Sequence, residues 1–199
     1  TWGVFAADQF EKHLQNALEA TIMIEEGNQQ VMEVVKAMRE FFHPGNPQME
    51  ACDINELLTS TLIVCGYELR NIADIETHLD ESLPLVKCFP AQLNQVFLNL
   101  VGNAADAVEE TGSEGKITIT TRHEIDDAII EVRDTGTGIN EDLAEKIFTP
   151  FFTTKRKGIG TGMGLSMTKK IIEENHGGKI YFESSEEGTS FFVHLKIDS

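Results

Sequence analysis

Basic residues are scarce in this chain: 16 Lys and Arg stand against 33 Asp and Glu, for a formal net charge of −17 at pH 7. That balance argues against nucleic acid as a partner, because phosphate binding needs a basic surface that releases counterions. Cysteine is rarer still. Cys52, Cys65 and Cys88 have neither paired nor metal-ligand spacing, so free thiols in a reducing, cytoplasmic compartment are expected. No apolar run reaches the length of a membrane span and no signal peptide is visible, so this segment is expected to make no membrane contact. The first residue is Thr1 and not Met, which suggests a fragment, with room upstream for a membrane segment or a sensor domain.

At 199 residues the chain can bury one good core, or a core with an extension. Residues 8–42 read as helix. Phe10, Leu14, Ala17, Thr21, Ile24, Asn28, Val31, Val35, Met38 and Phe42 alternate by three and four, the a/d seam of a coiled coil or bundle. Gly27 and Asn28 interrupt it, and a turn between two antiparallel helices is the competing reading. Packing within one chain would explain the stripe; a homodimer through this N-terminal helix explains it better, since so long a helix has little else to bury against. His43-Pro44-Gly45-Asn46-Pro47 ends the helix as a linker. Asp53 then caps a helix from Ile54 to about Arg70, and Pro90 opens another that ends near Glu110. Short strands are expected at 72–78 and 85–88, and alternating ones at 116–122 and 128–133. A helix over 163–175 stops at Gly177-Gly178, and strands 179–184 and 190–197 close the sheet as a hairpin. Mixed strands with helices on one face make an α+β, two-layer sandwich.

Four motifs carry the chemistry. Asn99 and Asn103 lie four apart on an apolar helix, hence on one face, and buried amides need partners. They could cap nearby backbone groups, or an amide oxygen could complete the coordination of Mg²⁺, which leaves most of its ligands to water and phosphate. Asp134, at a strand end before Gly136 and Gly138, can accept a hydrogen bond from the exocyclic amine of adenine. The same pattern alone is usually only a turn. Gly160, Gly162 and Gly164 open a helix and expose backbone N–H groups to phosphates. Phe148-Thr149-Pro150-Phe151-Phe152-Thr153-Thr154-Lys155 precedes them, so 153–160 reads as a mobile lid over a triphosphate. Lys155-Arg156-Lys157 is the local exception to the acidic chain; such a run is usually only a solvated loop, but its place between two ligand-type motifs favours phosphate contact. A dinucleotide fold would need an earlier βαβ unit and a later acid, and neither is present.

In this order the motifs resemble the N, G1, F and G2 boxes of the sensor histidine kinase ATP-binding domain, within the superfamily shared with type II topoisomerases, mismatch-repair ATPases and large heat-shock chaperones. The resemblance covers about residues 50–197 and looks most like the nitrogen-regulation type of sensor kinase. It implies a Bergerat-type ATP-binding domain over 47–199 and a helical dimerisation and phosphotransfer-like stalk, truncated or degenerate, over 1–46. By position it implies Mg²⁺ held by Asn103 with Asn99 nearby, adenine read by Asp134, and Gly136 and Gly138 on the pocket wall. Lys155, Gly162 and Gly164 would face the phosphates, and Thr189 would lie near the adenine-reading aspartate. Asp106, Ile139, Phe152, Thr154, Gly160, Thr161, Met163 and Leu165 complete the implied nucleotide contacts. Thr135 departs from the asparagine common after that aspartate.

The ATPase branches place a glutamate where Asn99 stands, to activate water. An asparagine cannot take that proton, so the resemblance implies ATP poised for transfer to another nucleophile. The family's acceptor box, His-Glu/Asp-x-x-Asn/Thr-Pro, does not occur. His13 is the one histidine before Gly27 and the candidate phospho-acceptor; Leu14 stands where an acid is usual, and an ordinary solvated helix histidine is the competing reading. The expected function is therefore the ATP-binding core of a two-component sensor histidine kinase that passes phosphate to a response-regulator aspartate. A degenerate member acting by protein contact and an anti-sigma-type serine kinase are the alternatives.

Overall fold

The computed structural model describes residues 48–154 and 161–197, together with Thr21 and Ile24. Thr21 and Ile24 are both helical, and the rest of the expected stalk helix, the linker at 43–47, His13, Lys155 and Gly160 lie outside the described residues.

The elements run β1 (Glu50–Cys52), α1 (Ile54–Leu69), β2 (Ala73–His78), β3 (Val86–Cys88), α2 (Pro90–Glu109), β4 (Gly115–Glu124), β5 (Asp127–Asp134), α3 (Glu141–Ala144), α4 (Gly164–Lys170), which continues as a π-turn over Ile171–Asn175, β6 (Lys179–Ser185) and β7 (Gly188–Lys196). The main sheet has the order β2-β4-β5-β7-β6. Strands β2 and β4 are parallel and the other neighbours antiparallel, so the sheet is mixed, as the expected fold class has it. A separate ribbon pairs β1 with β3.

Period-two alternation decides which side of the sheet is dry. Ile117 and Ile119 of β4, Ala128, Ile130 and Val132 of β5, and Phe191, Val193 and Leu195 of β7 are buried beneath the helices. The outer face is covered by side-chain stacking: Tyr181 lies on Phe192 with ring centroids 4.9 Å apart, and the Arg122 guanidinium sits 6.0 Å from the Phe192 ring.

Helix α2 supplies the other half of the core. Leu93, Val96, Phe97, Leu100, Val101, Ala104 and Val108 recur at helical spacing and are almost wholly buried. That leaves the face carrying Asn99, Asn103 and Asp106 turned from the core. The first helix starts at Asp53, whose Oδ1 accepts from the N–H groups of Asn55 at 2.8 Å and Glu56 at 3.2 Å. Asn55 anchors that helix start, donating to the Asp80 carbonyl at 2.9 Å and accepting from the Thr121 hydroxyl of β4 at 2.8 Å. At the far end of the fold Gly177 (φ 62) stops the helical run, and the Gly178 N–H returns to the Ile172 carbonyl.

Candidate nucleotide site

A cavity of about 360 Å³ opens between α2, the ends of β5 and β7, and the segments flanking residues 155–160. That is large enough for a small organic ligand. One stripe of α2 forms a wall: Asn99, Asn103, Asp106, Ala107 and Glu110 fall on the same side at intervals of three and four.

Asp134 stands at the base. It is 3% exposed, and its Oδ1 accepts from the Gly136 N–H at 2.8 Å and the Thr189 N–H at 3.2 Å. Burial pushes the Asp134 carboxyl above the usual carboxylate range, and these two backbone donors pull against it. Both bonds fall on Oδ1. The second oxygen receives none from the described residues, and the residue lines the cavity. A ligand donor arriving there meets an acceptor held rigidly by two amides.

The loop after Asp134 explains how that base is formed. Gly138 takes a left-handed conformation (φ 70), and a β-carbon there would run into the Ser185 carbonyl of the β6–β7 turn. The Ser184 hydroxyl fastens the same junction, accepting from the Ile139 N–H at 2.7 Å and lying 2.9 Å from the Thr189 hydroxyl. Ile139, Leu143, Ile147, Phe152, Leu165 and Phe191 add apolar wall, suited to an aromatic ring. Thr153, Thr154 and Thr161 bring hydroxyls to the exposed rim beside Gly162 and Gly164.

Two residues are placed differently from expectation. Gly136 is not on the cavity wall. It is buried behind Asp134, where a β-carbon would lie 2.6 Å from the Ala107 backbone, so its small size serves helix–loop packing. Met163 is not among the lining residues either; it is 42% exposed at the N-cap of α4. Thr135 faces away from the cavity wall, its hydroxyl accepting from the Lys116 N–H at 2.9 Å.

The two α2 amides behave differently. Asn99 Nδ2 donates to the Gly164 carbonyl and the Thr168 hydroxyl, both at 3.4 Å, which ties α2 to the start of α4. Asn103 makes no hydrogen bond to the described residues, yet it lines the cavity. Its amide oxygen is therefore available to a ligand. Among the described residues no three His, Cys, Asp or Glu groups could hold a metal by themselves. A single amide oxygen beside phosphates suits Mg²⁺, which keeps few protein ligands.

Sequence reasoning missed Ser184, Thr168, Thr137 and Asn140. Asn140 was recoverable, since an asparagine before Glu141 and Asp142 is a helix-start signal, and its side chain does cap α3, accepting from the Asp142 N–H at 3.0 Å. Ser184 and Thr168 act through partners 45 and 69 residues away, for which local pattern carries no signal.

Fold and cavity together define an α+β domain of the two-layer type with a site sized for a small organic ligand. Residues 89–199 match the family described as histidine kinase-, DNA gyrase B-, and HSP90-like ATPase. The chain belongs to that family. It is 35% identical over 182 residues to the sensor histidine kinase ZraS of Salmonella typhi, a match covering 89% of this chain and 37% of ZraS. To the sensor kinase CckA of Brucella abortus it is 37% identical over 180 residues, covering 81% of this chain and 18% of CckA. The chain thus spans little more than a third of the first relative and less of the second. Among solved structures, the nucleotide-free catalytic domain of histidine kinase ThkA superposes with a TM-score of 0.67 at 37% identity, over 75% of this chain and 95% of that one. ThkA bound to its response regulator TrrA superposes with a TM-score of 0.64 at 31% identity, over 88% of this chain and 50% of that one.

Proposed function

We propose that this chain is the catalytic core of a two-component sensor histidine kinase, with residues 47–199 binding Mg²⁺–ATP and residues 1–46 forming a dimerising, phosphotransfer-like stalk. The observation that carries the reading is Asp134, a nearly buried carboxylate held by two backbone amides at the base of an apolar cavity. Its acceptor oxygen matches the exocyclic amine of adenine and would repel the guanine carbonyl at the same place. Asn103 offers the amide oxygen for Mg²⁺, which would neutralise phosphate charge. Thr154, Thr161, Gly162 and Gly164, with Lys155 and Gly160 outside the described residues, are the proposed phosphate contacts. Asn99 has no carboxylate with which to activate water, and its Nδ2 is engaged by Gly164 and Thr168. The γ-phosphoryl group is therefore kept for a side-chain nucleophile, for which His13 is the candidate, and it then passes to the aspartate of a response-regulator receiver domain. Such transfer rests on placement and charge neutralisation. Among the described residues no helix is long and apolar enough to cross a membrane; the proposed site of action is the cytoplasm.

Incubation with γ-labelled ATP tests the reading. Acid-labile label on the wild-type chain, absent from His13→Ala and passed on to a receiver domain, is the expected result. Nucleotide binding without any label would favour the regulatory alternative, consistent with Leu14 standing in place of an acid. Acid-stable label on an added protein would favour a serine kinase.

A further inference from the structure

Helix α2 and the segment α4 with its π-turn are joined by a row of polar contacts, and only one end of that row is in the cavity. Asn99 holds Gly164 and Thr168 at that end. Gln95 Nε2 then donates to the Met167 sulfur at 2.9 Å, Asn175 Nδ2 donates to Gln92 Oε1 at 2.8 Å, and the Phe89 N–H donates to His176 Nε2 at 3.0 Å. Positions 89, 92, 95 and 99 make one stripe at helical spacing, and their partners run in the opposite direction along the second segment. The π-turn at Ile171–Asn175 follows the inner contacts and carries the first outer one at its last residue, Asn175. It winds in an extra residue, and such turns recur at functional positions.

His176 closes the far end. Its Nδ1 lies 2.8 Å from the Ile171 carbonyl and so carries the proton, which leaves the Nε2 lone pair for the Phe89 N–H. The ring also meets Phe89 edge-on, with centroids 5.5 Å apart at 80°. The two hydrogen bonds together require the neutral ring in a single tautomer. We propose that His176 is a positioning residue for the nucleotide site, an imidazole clasp that fixes α4, and with it Gly164 on the cavity wall, against the Asn99 face of α2.

The clasp is pH-sensitive by construction, because a protonated ring has no lone pair for Phe89. Burial holds the His176 pKa below the ordinary histidine value, opposed by the Ile171 carbonyl. The ionisable groups on the surrounding elements are Lys87 and Cys88 on β3, Lys169 and Lys170 on α4, Glu173 and Glu174 on the π-turn, Lys179, Tyr181 and Glu183 on β6, and His194 and Lys196 on β7; α2 has none before Asp106. None of them contributes to the displacement of the ring. Opening therefore falls on the acid side of the usual histidine range, about 6.5.

This inference rests on the cavity taking an adenine nucleotide. Calorimetric titration of Mg²⁺–ATP into wild type, His176→Gln and His176→Ala at pH 7.5 and 5.5 tests it, since protonation of the nucleotide and of Asp134 is common to all three. At pH 7.5 the glutamine variant, which keeps a donor and an acceptor, should bind within about twofold of wild type, while the alanine variant binds about fivefold to tenfold more weakly. At pH 5.5 wild type should fall towards the alanine variant and below the glutamine variant. If His176→Ala loses its native circular-dichroism spectrum, Gln92→Ala removes the adjacent contact instead and should weaken binding about threefold with the wild-type pH profile kept. Equal affinity for all chains at both pH values would overturn the clasp. Failure of wild type to bind at pH 7.5 would overturn the nucleotide reading itself, and the clasp with it.

Discussion

Asp134 is a costly residue for the nucleotide-free fold. Its carboxyl is pushed above the usual range by burial. A carboxyl whose folded pKa is raised contributes stability that is fully present below its unfolded value of about 3.9, and loses it as pH rises through the folded value. At neutral pH the ionised group therefore opposes folding. We expect nucleotide-free Asp134→Asn to melt at or above the wild-type temperature at pH 7.5, with the difference closing below about pH 4, as differential scanning calorimetry would read. Asn103 carries no such burden, being half-buried and unengaged by the described residues. Asn103→Ala should bind ATP as wild type does in EDTA, but lose about tenfold of the affinity gained on adding Mg²⁺. The acid at a strand end and the paired asparagines were legible because a residue type and its position suffice to suggest their chemistry. Gly136 was misplaced because the same small residue serves a pocket wall or, as here, a close approach to Ala107.

At the scale of elements, the boundaries that the sequence discloses are those with local causes: Asp53 before α1, Pro90 at the start of α2, Gly177 after the π-turn. The β1 strand of three residues is too short to show alternation, and it forms only because β3 pairs with it. The π-turn is likewise invisible locally, since Ile171–Asn175 has the composition of an ordinary helix. On the cavity rim, Gly162 (φ 64) lies where a β-carbon would meet the Phe151 backbone at 2.5 Å, and Phe151 itself is left-handed (φ 66) and 76% exposed. A strained bulky residue closely packed against a left-handed glycine marks this part of the rim as geometrically specified. Gly162→Ala should cost about 1–3 kcal/mol locally and lower ATP affinity by at least tenfold, while the melting temperature falls by no more than about 10 °C. Parallel calorimetry and thermal melts would separate the two effects.

On the scale of the whole molecule, the resemblance read from four motifs and the family match over residues 89–199 agree. The motifs are legible because their residue types follow from ligand chemistry, whether in loops and a helix start or, for Asn99 and Asn103, on one face of α2. The clasp and the Ser184 junction are not, because they join distant segments through side chains that look ordinary in sequence. The stalk is argued from the three-four stripe, and Ile24, helical and 65% exposed, is the apolar seam position that the structure describes. We expect the 199-residue chain to sediment as a dimer, and residues 48–199 to sediment as a monomer that retains nucleotide binding. The central claim is that one carboxylate selects adenine. Titrating Mg²⁺–ATP and Mg²⁺–GTP into wild type and Asp134→Asn at pH 7.5 tests it most directly. Wild type should bind ATP and bind GTP at least tenfold more weakly, and the variant, whose amide presents a donor to a donor, should lose about 30-fold to 100-fold of the ATP affinity. Unchanged ATP affinity in Asp134→Asn, or equal binding of both nucleotides by wild type, would contradict it.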